Sequence, residues 1–349
     1  MAERQFLLQV ISGQRRDLAA ALTRIALSVA EPVYRGAVAA RNHAYDHRWL
    51  AVHRAGLPVI SVGNLTTGGT GKSPFVMWLA RQFRDSGQRV CVLSRGYMAT
   101  TNGVNDESME LASRLPEIAQ VLNRDRVAGA KKALQEKQAQ VLLLDDGFQH
   151  RRLHRDLDIV LIDAAQPFGF DRLLPRGLLR EPKRSLARAD FVLITRADAI
   201  TPDSLRLLQA EIRRHFESET IGVSRMVPNH LLQSDGTVRP LDVLSSFPVA
   251  SFCGVGNSVA FSQAVRGLFP EVVHDASFSD HHRYTEKELS GLAASAKQAG
   301  ASVLICTHKD LVKIRRTEIH DLPVYALIVD LEFLSGQSDL ESRLNQTCG

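Results

Sequence analysis

The sequence predicts an α/β protein in which a mostly parallel sheet is flanked by helices, with a second, smaller α/β domain and an extended linker. Short apolar runs typical of buried strands alternate with helical patterns along the 349 residues. One such run, at residues 59–62, leads through a glycine-rich turn into a helical segment at residues 75–80. A second unit of strand, glycine turn and helix begins at residue 249. This alternation is what predicts the fold class.

The turn between the first strand and its helix has the composition of a phosphate-binding loop. Glycines allow successive backbone N–H groups to converge on an anion, and the helix that follows directs its own free N–H groups at the same phosphates. Lys72 would reach the β- and γ-phosphates, and the Ser73 hydroxyl would bind Mg²⁺. The strict pattern G-x-x-x-x-G-K-[ST] has glycine where this chain has Thr66. We therefore predict a P-loop NTPase-type domain whose nucleotide-binding residues are Thr66, Thr67, Gly68, Gly69, Thr70, Gly71, Lys72 and Ser73.

The segments of the chain follow from the turn signals. Residues 223–236 read as an extended stretch ending in the turn Ser234-Asp235-Gly236. We expect an N-terminal kinase-type domain at 1–222, a linker at 223–240, a C-terminal α/β domain at 241–321, and a return strand with a C-terminal helix at 322–349.

Composition limits the classes of protein. The net charge of +5 suits an anionic partner without choosing among nucleotide, nucleic acid and phospholipid. The four cysteines have no metal-ligand spacing and read as free thiols of a reducing compartment. No uncharged apolar run reaches transmembrane length, and no signal-peptide core precedes the first domain. The pattern is typical of a cytosolic enzyme.

A second informative stretch is the strand at residues 141–144, which ends in Asp145 and Asp146. Two carboxylates at a buried strand end are costly unless a cation compensates them, and the strand beside a phosphate loop often supplies such a ligand for Mg²⁺. We predict both as metal residues. A cationic stretch follows, which fits either an anionic substrate group or plain surface charge. Gln149, His150 and Arg151 lie in or beside it, and Asn64 and Arg180 are further substrate-binding candidates.

The first fifty residues contain a basic, amphipathic helix. Its apolar side chains recur at helical spacing: Leu18, Leu22, Ile25, Val29 and Val33. Arginines and aromatic residues are interleaved with them. Such a helix can lie in a bilayer surface, or it can pack on the domain with a solvated basic face. We expect Pro32 to divide it into two helices.

Two strand ends resemble the [NT]-K-x-D tetrad with which GTPases read guanine. They are residues 195–198 and residues 307–310. Each also fits an ordinary turn at a strand end. The alternative function is therefore a P-loop GTPase of regulatory or metallochaperone type.

The motifs together resemble the tetraacyldisaccharide 4′-kinases of lipid A biosynthesis. The resemblance rests, in order, on GNLTTGGTGKSP, SRGY, LLLDDGFQHRRLHRDLDIVLID, LLPRGLLREP and FSDHHRYT, and it covers nearly the whole chain. That family also lacks the first glycine of the loop. The resemblance implies transfer of the γ-phosphate of ATP, with Mg²⁺, to the 4′-hydroxyl of a tetraacylated glucosamine disaccharide 1-phosphate, giving lipid IVA. It also implies a peripheral protein on the cytoplasmic face of the inner membrane, which favours the membrane interpretation of the N-terminal helix; we expect a monomer that binds no nucleic acid.

The resemblance also assigns roles by position. Lys72 and Ser73 match the phosphate and Mg²⁺ residues, and Tyr97 lies in the substrate-contact region. Glu181 matches an acidic residue near the metal. Asp106 and His281 match a catalytic pair that activates the sugar hydroxyl, where a carboxylate accepts the proton as the P–O bond forms.

The loop before Asp106 departs from the family pattern. It is short and reads Asn105-Asp106-Glu107-Ser108, where the family shows a longer loop and Gly-Asp-Glu-Pro. Glu107 is therefore a second candidate for the base.

Overall fold

The computed structural model describes residues 2–96, 106–218 and 220–348. Its strands are β1 (Val59–Asn64), β2 (Val90–Ser94), β3 (Ala119–Leu122), β4 (Val141–Asp145), β5 (Leu157–Asp163), β6 (Phe191–Thr195), β7 (Ile221–Leu232), β8 (Val238–Arg239), β9 (Val249–Cys253), β10 (Val272–Ser277), β11 (Val303–Thr307), β12 (Glu318–Ile319) and β13 (Leu322–Ser335). Its α-helices are α1 (Ala2–Ser12), α2 (Leu18–Asp46), α3 (Lys72–Asp85), α4 (Asp106–Arg114), α5 (Arg126–Lys137), α6 (Pro202–Arg213), α7 (Ser258–Leu268), α8 (Glu286–Gln298), α9 (His308–Ile314) and α10 (Gln337–Cys348).

The chain forms two compact units that interleave along the sequence. Unit 1 comprises Met1–Arg95, Ile118–Arg225 and Glu332–Gly349. Unit 2 comprises Gly96–Glu117 and Met226–Leu331. The segment that contains α4 thus groups with unit 2, although it precedes residue 222, where the sequence places the end of the first domain.

Unit 1 contains a parallel sheet in the order β7–β6–β5–β1–β4–β2–β3. Strand β1 lies between β5 and β4, and all six of its residues are buried. Parallel sheets are covered by helices on both faces, which explains why their strands read as continuous apolar runs rather than as alternating ones. The carboxyl ends of β1 and β4 meet at the same edge, so the residues that follow these two strands lie near each other.

Helix α3 begins directly at the end of the phosphate loop. Gly71 precedes it with φ +81°, a left-handed conformation that glycine adopts without strain. The helix buries Phe75, Leu79 and Phe83 against the sheet. The local sequence therefore fixes both where the helix starts and which face it buries.

Unit 2 contains the parallel strands β10–β9–β11–β13, with β12 and β8 pairing as short antiparallel additions. Its apolar core joins Phe252 of β9 and Leu304 of β11 to α8 and α9. Thr285 caps α8 through a reciprocal capping box with Glu288. The two units confirm the predicted mostly parallel α/β architecture of the P-loop NTPase type.

Two local predictions are wrong. Helix α2 continues through Pro32, and the break in the N-terminal region falls instead between α1 and α2. The pattern of residues 109–122 predicts one helix, but residues 119–122 form strand β3, because they pair in register with β2 at the edge of the sheet. Tertiary pairing overrides the local helical pattern there.

No helix in the described ranges 2–96, 106–218 and 220–348 is both long enough and apolar enough to cross a bilayer.

Candidate active site

The loop between β1 and α3 is anchored from two sides and open on a third. The backbone N–H of Thr67 donates to the carbonyl of Leu178 at 2.8 Å. The buried Thr195 hydroxyl, at the end of β6, donates to the carbonyl of Thr70 at 2.9 Å. A methyl group built on Gly68 or Gly69 would meet no atom within 4 Å. The loop is thus fixed at both ends while its central glycines border open space, which is what an anion cradle requires.

Lys72, the first residue of α3, lies in a polar cluster of unit 1. Its Nζ atom is 3.3 Å from Oδ1 of Asn64 and 3.6 Å from Oδ1 of Asp146. The guanidinium of Arg180 donates to both carboxylate oxygens of Asp146, at 2.9 and 3.0 Å, and to the side chain of Asn64. Gln149 donates to the Asn64 carbonyl at 3.0 Å. The predicted residues Asn64, Lys72, Asp146, Gln149 and Arg180 are therefore brought together beside the loop.

Asp146 is strained and electrostatically held. Its φ of +55° is uncommon for a residue with a side chain and marks a backbone that the surroundings hold in place. Burial alone would raise the pKa of the Asp146 carboxyl, but the charges of Lys72 and Arg180 hold it far below its ordinary value. Asp146 is therefore a carboxylate at every physiological pH.

The acidic end of β4 fits a metal ion that also binds the phosphates of a nucleotide. Asp145 ends β4 and is buried, with the buried Arg126 donating to its carbonyl at 3.4 Å. In the described part of the chain, no group of three or more His, Cys, Asp or Glu side chains converges on one point. Mg²⁺ usually takes one or two carboxylates and completes its shell with waters and phosphate oxygens. Ser73, Asp145 and Asp146 match that partial donor set.

Glu181, predicted as a metal residue, has other partners. Its carboxylate is 1% exposed and accepts from Asn42 at 2.7 Å and from Arg188 at 2.9 Å, with Arg41 at 3.7 Å. A buried carboxylate requires such pairing. Through these contacts Glu181 links α2 to the segment 181–188.

The remaining substrate candidates differ in their surroundings. Arg151 donates to Asp46 at 2.7 Å and to the carbonyl of Asn42 at 3.1 Å, so its charge is used to hold α2. His150 is half-buried, and burial together with Arg126 lowers its pKa to about 4, which keeps the imidazole neutral at pH 7. Tyr97 lies outside the described residues.

Asp106 and His281 lie together in unit 2. The Nδ1 atom of His281 is 3.0 Å from Oδ2 of Asp106. His281 adopts a positive φ of 60°. The hydrogen bond to Asp106 raises the pKa of His281, the largest of several effects on it. For Asp106, burial raises the pKa, but the His281 hydrogen bond and the Lys313 charge outweigh it and lower the value overall. The two residues thus favour an ion pair.

Glu107, the second candidate base, faces a different neighbour. Its carboxylate lies 3.8 Å from Nζ of Lys309, and its side chain is 40% exposed.

The two GTPase-like tetrads have structural tasks. Besides the Thr195 contact with the loop, the guanidinium of Arg196 pairs with Asp163. Asp310 of the second tetrad is fully buried and accepts from the backbone N–H of Gly254 at 3.0 Å and from the Thr307 hydroxyl at 2.6 Å. The carboxylate of Asp310 is therefore not available to a base, whereas Asp198 of the first tetrad is exposed.

Sequence reasoning missed two cations of these clusters. Arg126 is 3% exposed, and its charge lies near both Asp145 and Asp146. Lys313 lies 3.6 Å from Asp106 and 3.0 Å from Asp310. Both stand in helices among other basic residues, so only the fold distinguishes them from solvated charges.

A protein-family model matches most of the chain. The model described as "LpxK: Tetraacyldisaccharide-1-P 4'-kinase" matches residues 23–349. Proteins named tetraacyldisaccharide 4'-kinase resemble the chain over almost its full length. That of Anaeromyxobacter sp. (strain Fw109-5) is 38% identical, with 95% of this chain and 94% of that protein covered. That of Geobacter sulfurreducens is 35% identical, with 97% of each covered.

A solved structure resembles the whole fold. The "apo" form of LpxK from Aquifex aeolicus, crystallised in complex with ATP, superposes with a TM-score of 0.74 at 31% identity. The match covers 94% of this chain and 100% of that one.

Proposed function

This chain belongs to the tetraacyldisaccharide-1-phosphate 4′-kinase family and is a kinase of lipid A biosynthesis, and we propose that it transfers the γ-phosphoryl group of ATP to the 4′-hydroxyl of a tetraacylated glucosamine disaccharide 1-phosphate. The observation that carries the proposal is the cluster in which Lys72, at the start of α3, meets Asp146 beside an open glycine loop. That arrangement suits a triphosphate, and the Aquifex aeolicus relative was crystallised with ATP.

The loop and Lys72 hold the nucleotide. The backbone N–H groups of Lys72 and Ser73 have no partner within their own helix, because they belong to its first turn. They and the N-terminal end of α3 would receive phosphate oxygens, with the Lys72 ammonium neutralising charge on the group in transfer. Arg180 and Asn64 hold Lys72 and Asp146 in place for this task.

Ser73, Asp145 and Asp146 are the residues that would hold Mg²⁺. The ion, when bound, supplies Lewis-acid stabilisation of the phosphate charge. The chain's own contribution is to keep Asp146 ionised and fixed through Lys72 and Arg180, with the charge of Arg126 close to both Asp145 and Asp146.

Asp106 acts as the general base, oriented by His281. A sugar hydroxyl is a weak nucleophile at pH 7, so a carboxylate that accepts its proton lowers the barrier. His281, bonded through Nδ1, fixes the direction of the carboxylate. The substrate candidates Gln149, His150 and Tyr97 remain predictions.

The test is direct. Purified protein, ATP, Mg²⁺ and the disaccharide 1-phosphate in detergent should give the bis-phosphorylated lipid, and omission of the lipid should leave ATP turnover low. Replacing ATP by GTP should reduce the rate strongly. Lipid-independent hydrolysis of GTP as the main activity would contradict the proposal.

We also propose that helix α2 rests on the cytoplasmic face of the inner membrane. The apolar side chains of its stripe are exposed in the structure: Leu18, Leu22, Ile25, Val29 and Val33. A substrate with four acyl chains stays in a bilayer, and exposed apolar groups at one face of a basic helix bind such a surface.

A charge placed in this stripe should weaken membrane binding. Each of Ile25→Glu and Val29→Glu removes about 1.5–3 kcal/mol of apolar burial, so the partition onto vesicles of phosphatidylethanolamine and phosphatidylglycerol should fall at least ~10-fold in sedimentation assays. Ser28→Glu places the same charge elsewhere on α2 and is the matched control. If Val29→Glu and Ser28→Glu bound vesicles equally well, the apolar stripe would not be the membrane-binding surface.

A further inference from the structure

A buried ion cluster in unit 2 links the candidate base to a residue that no motif assigns. Lys313, in the last turn of α9, has a side chain that is only 9% exposed. Its Nζ atom lies 3.0 Å from Oδ1 of Asp310 and 3.6 Å from Oδ2 of Asp106. The ammonium therefore stands between two carboxylates, one fully buried and one in the candidate site.

Asp310 is fixed more firmly than ion pairing with Lys313 requires. It accepts from the backbone N–H of Gly254, the Thr307 hydroxyl and the Tyr284 hydroxyl, at 3.0, 2.6 and 3.0 Å. Three donors from three segments define the position of this carboxylate. Lys313 follows Asp310 by about one helical turn, and its ammonium also lies 5.7 Å from the ring centre of Tyr284. The cation is thus held by an anchor that cannot easily move.

Held in this way, Lys313 directs its second contact at Asp106. A buried ammonium needs anionic partners, and Asp310 supplies only one of the two carboxylates that Lys313 contacts. His281 approaches the same carboxylate oxygen of Asp106 from the loop before α8. Asp106 is therefore flanked by an imidazole on one element and an ammonium on another.

We propose that Lys313 is a positioning residue for the phosphoryl transfer: anchored on Asp310, it holds the Asp106 carboxylate in its charged form and in one orientation. The inference rests on the proposed role of Asp106 as the base. Lys313 acts through Asp106 and touches neither nucleotide nor sugar. When Asp106 accepts the proton of the hydroxyl, the nearby ammonium loses its attraction to that carboxyl, so Lys313 also favours release of the proton in the next step.

The charged groups around Asp106 determine how its protonation depends on pH. Its own helix α4 contributes Glu107 and Glu110. Helix α9 contributes Lys309 and Lys313, and the loop before α8 contributes Asp280 and His281. Lys313 lowers the pKa of Asp106, second among the lowering effects after the His281 hydrogen bond. Removing Lys313 raises the pKa of Asp106. As the pH falls, the variant therefore loses activity at a higher pH than the wild type does.

The experiment is the pH profile of kcat/KM with respect to the lipid acceptor. In Lys313→Met the acid limb should move up by about 1 pH unit, which lowers kcat/KM about 10-fold at a pH that lies on this limb in both proteins. Lys313→Arg keeps the cation and should retain the wild-type limb. Lys297→Met removes a lysine from the exposed pair with Asp321 in the same unit and is the matched control, with no shift expected.

Two further variants separate the possible failures. In an Asp106→Asn background, Lys313→Met should cost little more activity, because its effect passes through Asp106. Lys313→Gln, a second neutral variant that can still bond to Asp310, is measured in parallel, with thermal melting of each protein. An unshifted acid limb in a folded neutral variant overturns the inference even if Asp106→Asn is inactive. Wild-type turnover by Asp106→Asn would instead overturn the proposed base.

Discussion

Lys72→Ala is expected to reduce kcat by roughly 10²–10³-fold, the usual cost of removing one preorganised charge at the transferring group. Lys72 is the first residue of α3. Its ammonium lies 3.3 Å from Asn64 and 3.6 Å from Asp146, so it is already placed before the nucleotide binds. Preorganised charge needs no rearrangement during the reaction, which is why its removal affects kcat more than KM for ATP. Steady-state assay of the bis-phosphorylated product measures both constants.

The matched control is Lys132→Ala. Lys132 lies on α5 of the same unit and forms an exposed pair with Glu136 at 3.6 Å, a type of contact that contributes little to stability. Its kinetics should equal those of the wild type. Undiminished kcat in a folded Lys72→Ala protein would mean that the glycine loop does not serve the transfer.

Asp106→Asn should reduce kcat by roughly 10²–10⁴-fold, because the amide keeps the shape of the carboxylate but accepts no proton. The hydrogen-bonded position beside His281 is retained, so KM for the lipid should change little. Product formation under saturating ATP checks both quantities.

Glu107→Gln provides the comparison. Glu107 is the next residue along α4, is more exposed and faces Lys309 instead of His281. We expect it to keep near-wild-type turnover. If Glu107→Gln were the inactive variant and Asp106→Asn the active one, the shortened loop before α4 would have moved the base by one position.

The phosphate loop and its helix could be read from the sequence because their signals are local. Glycines at 68, 69 and 71, followed by Lys72, specify the turn chemistry whatever surrounds them. The acidic end of β4 was found for the same reason, since a buried strand that ends in two carboxylates needs a compensating charge. What the sequence left open was which cations provide it. Lys72, Arg180 and Arg126 come from three separate segments, and only the sheet order brings those segments together.

Other residues could be placed only by the fold. Asp106 reads as one acid in a loop, yet it begins α4, which packs in unit 2 with α9. The tetrads at 195–198 and 307–310 were ambiguous because a capping threonine and a base-reading tetrad use the same residue types. In the structure Thr195 bonds to Thr70, and Asp310 is fully buried and paired with Lys313, so burial decides against a base-reading role for residues 307–310. Burial is a property of long-range packing, which short sequence patterns do not encode.

The interleaving of the two units has a consequence for synthesis on the ribosome. Domains generally fold as units, the N-terminal one first, while the chain is still being made. Here unit 1 includes α10, whose Arg343 donates to the carbonyl of Asp190 at 3.0 Å and to the Ser218 hydroxyl at 3.1 Å. These contacts can form only after residues 226–331 have been translated. Unit 1, which contains the phosphate loop, is therefore incomplete until the ribosome has made residues 226–331 of unit 2. A chain that stalls before α10 contains the phosphate loop in a unit that lacks its last helix.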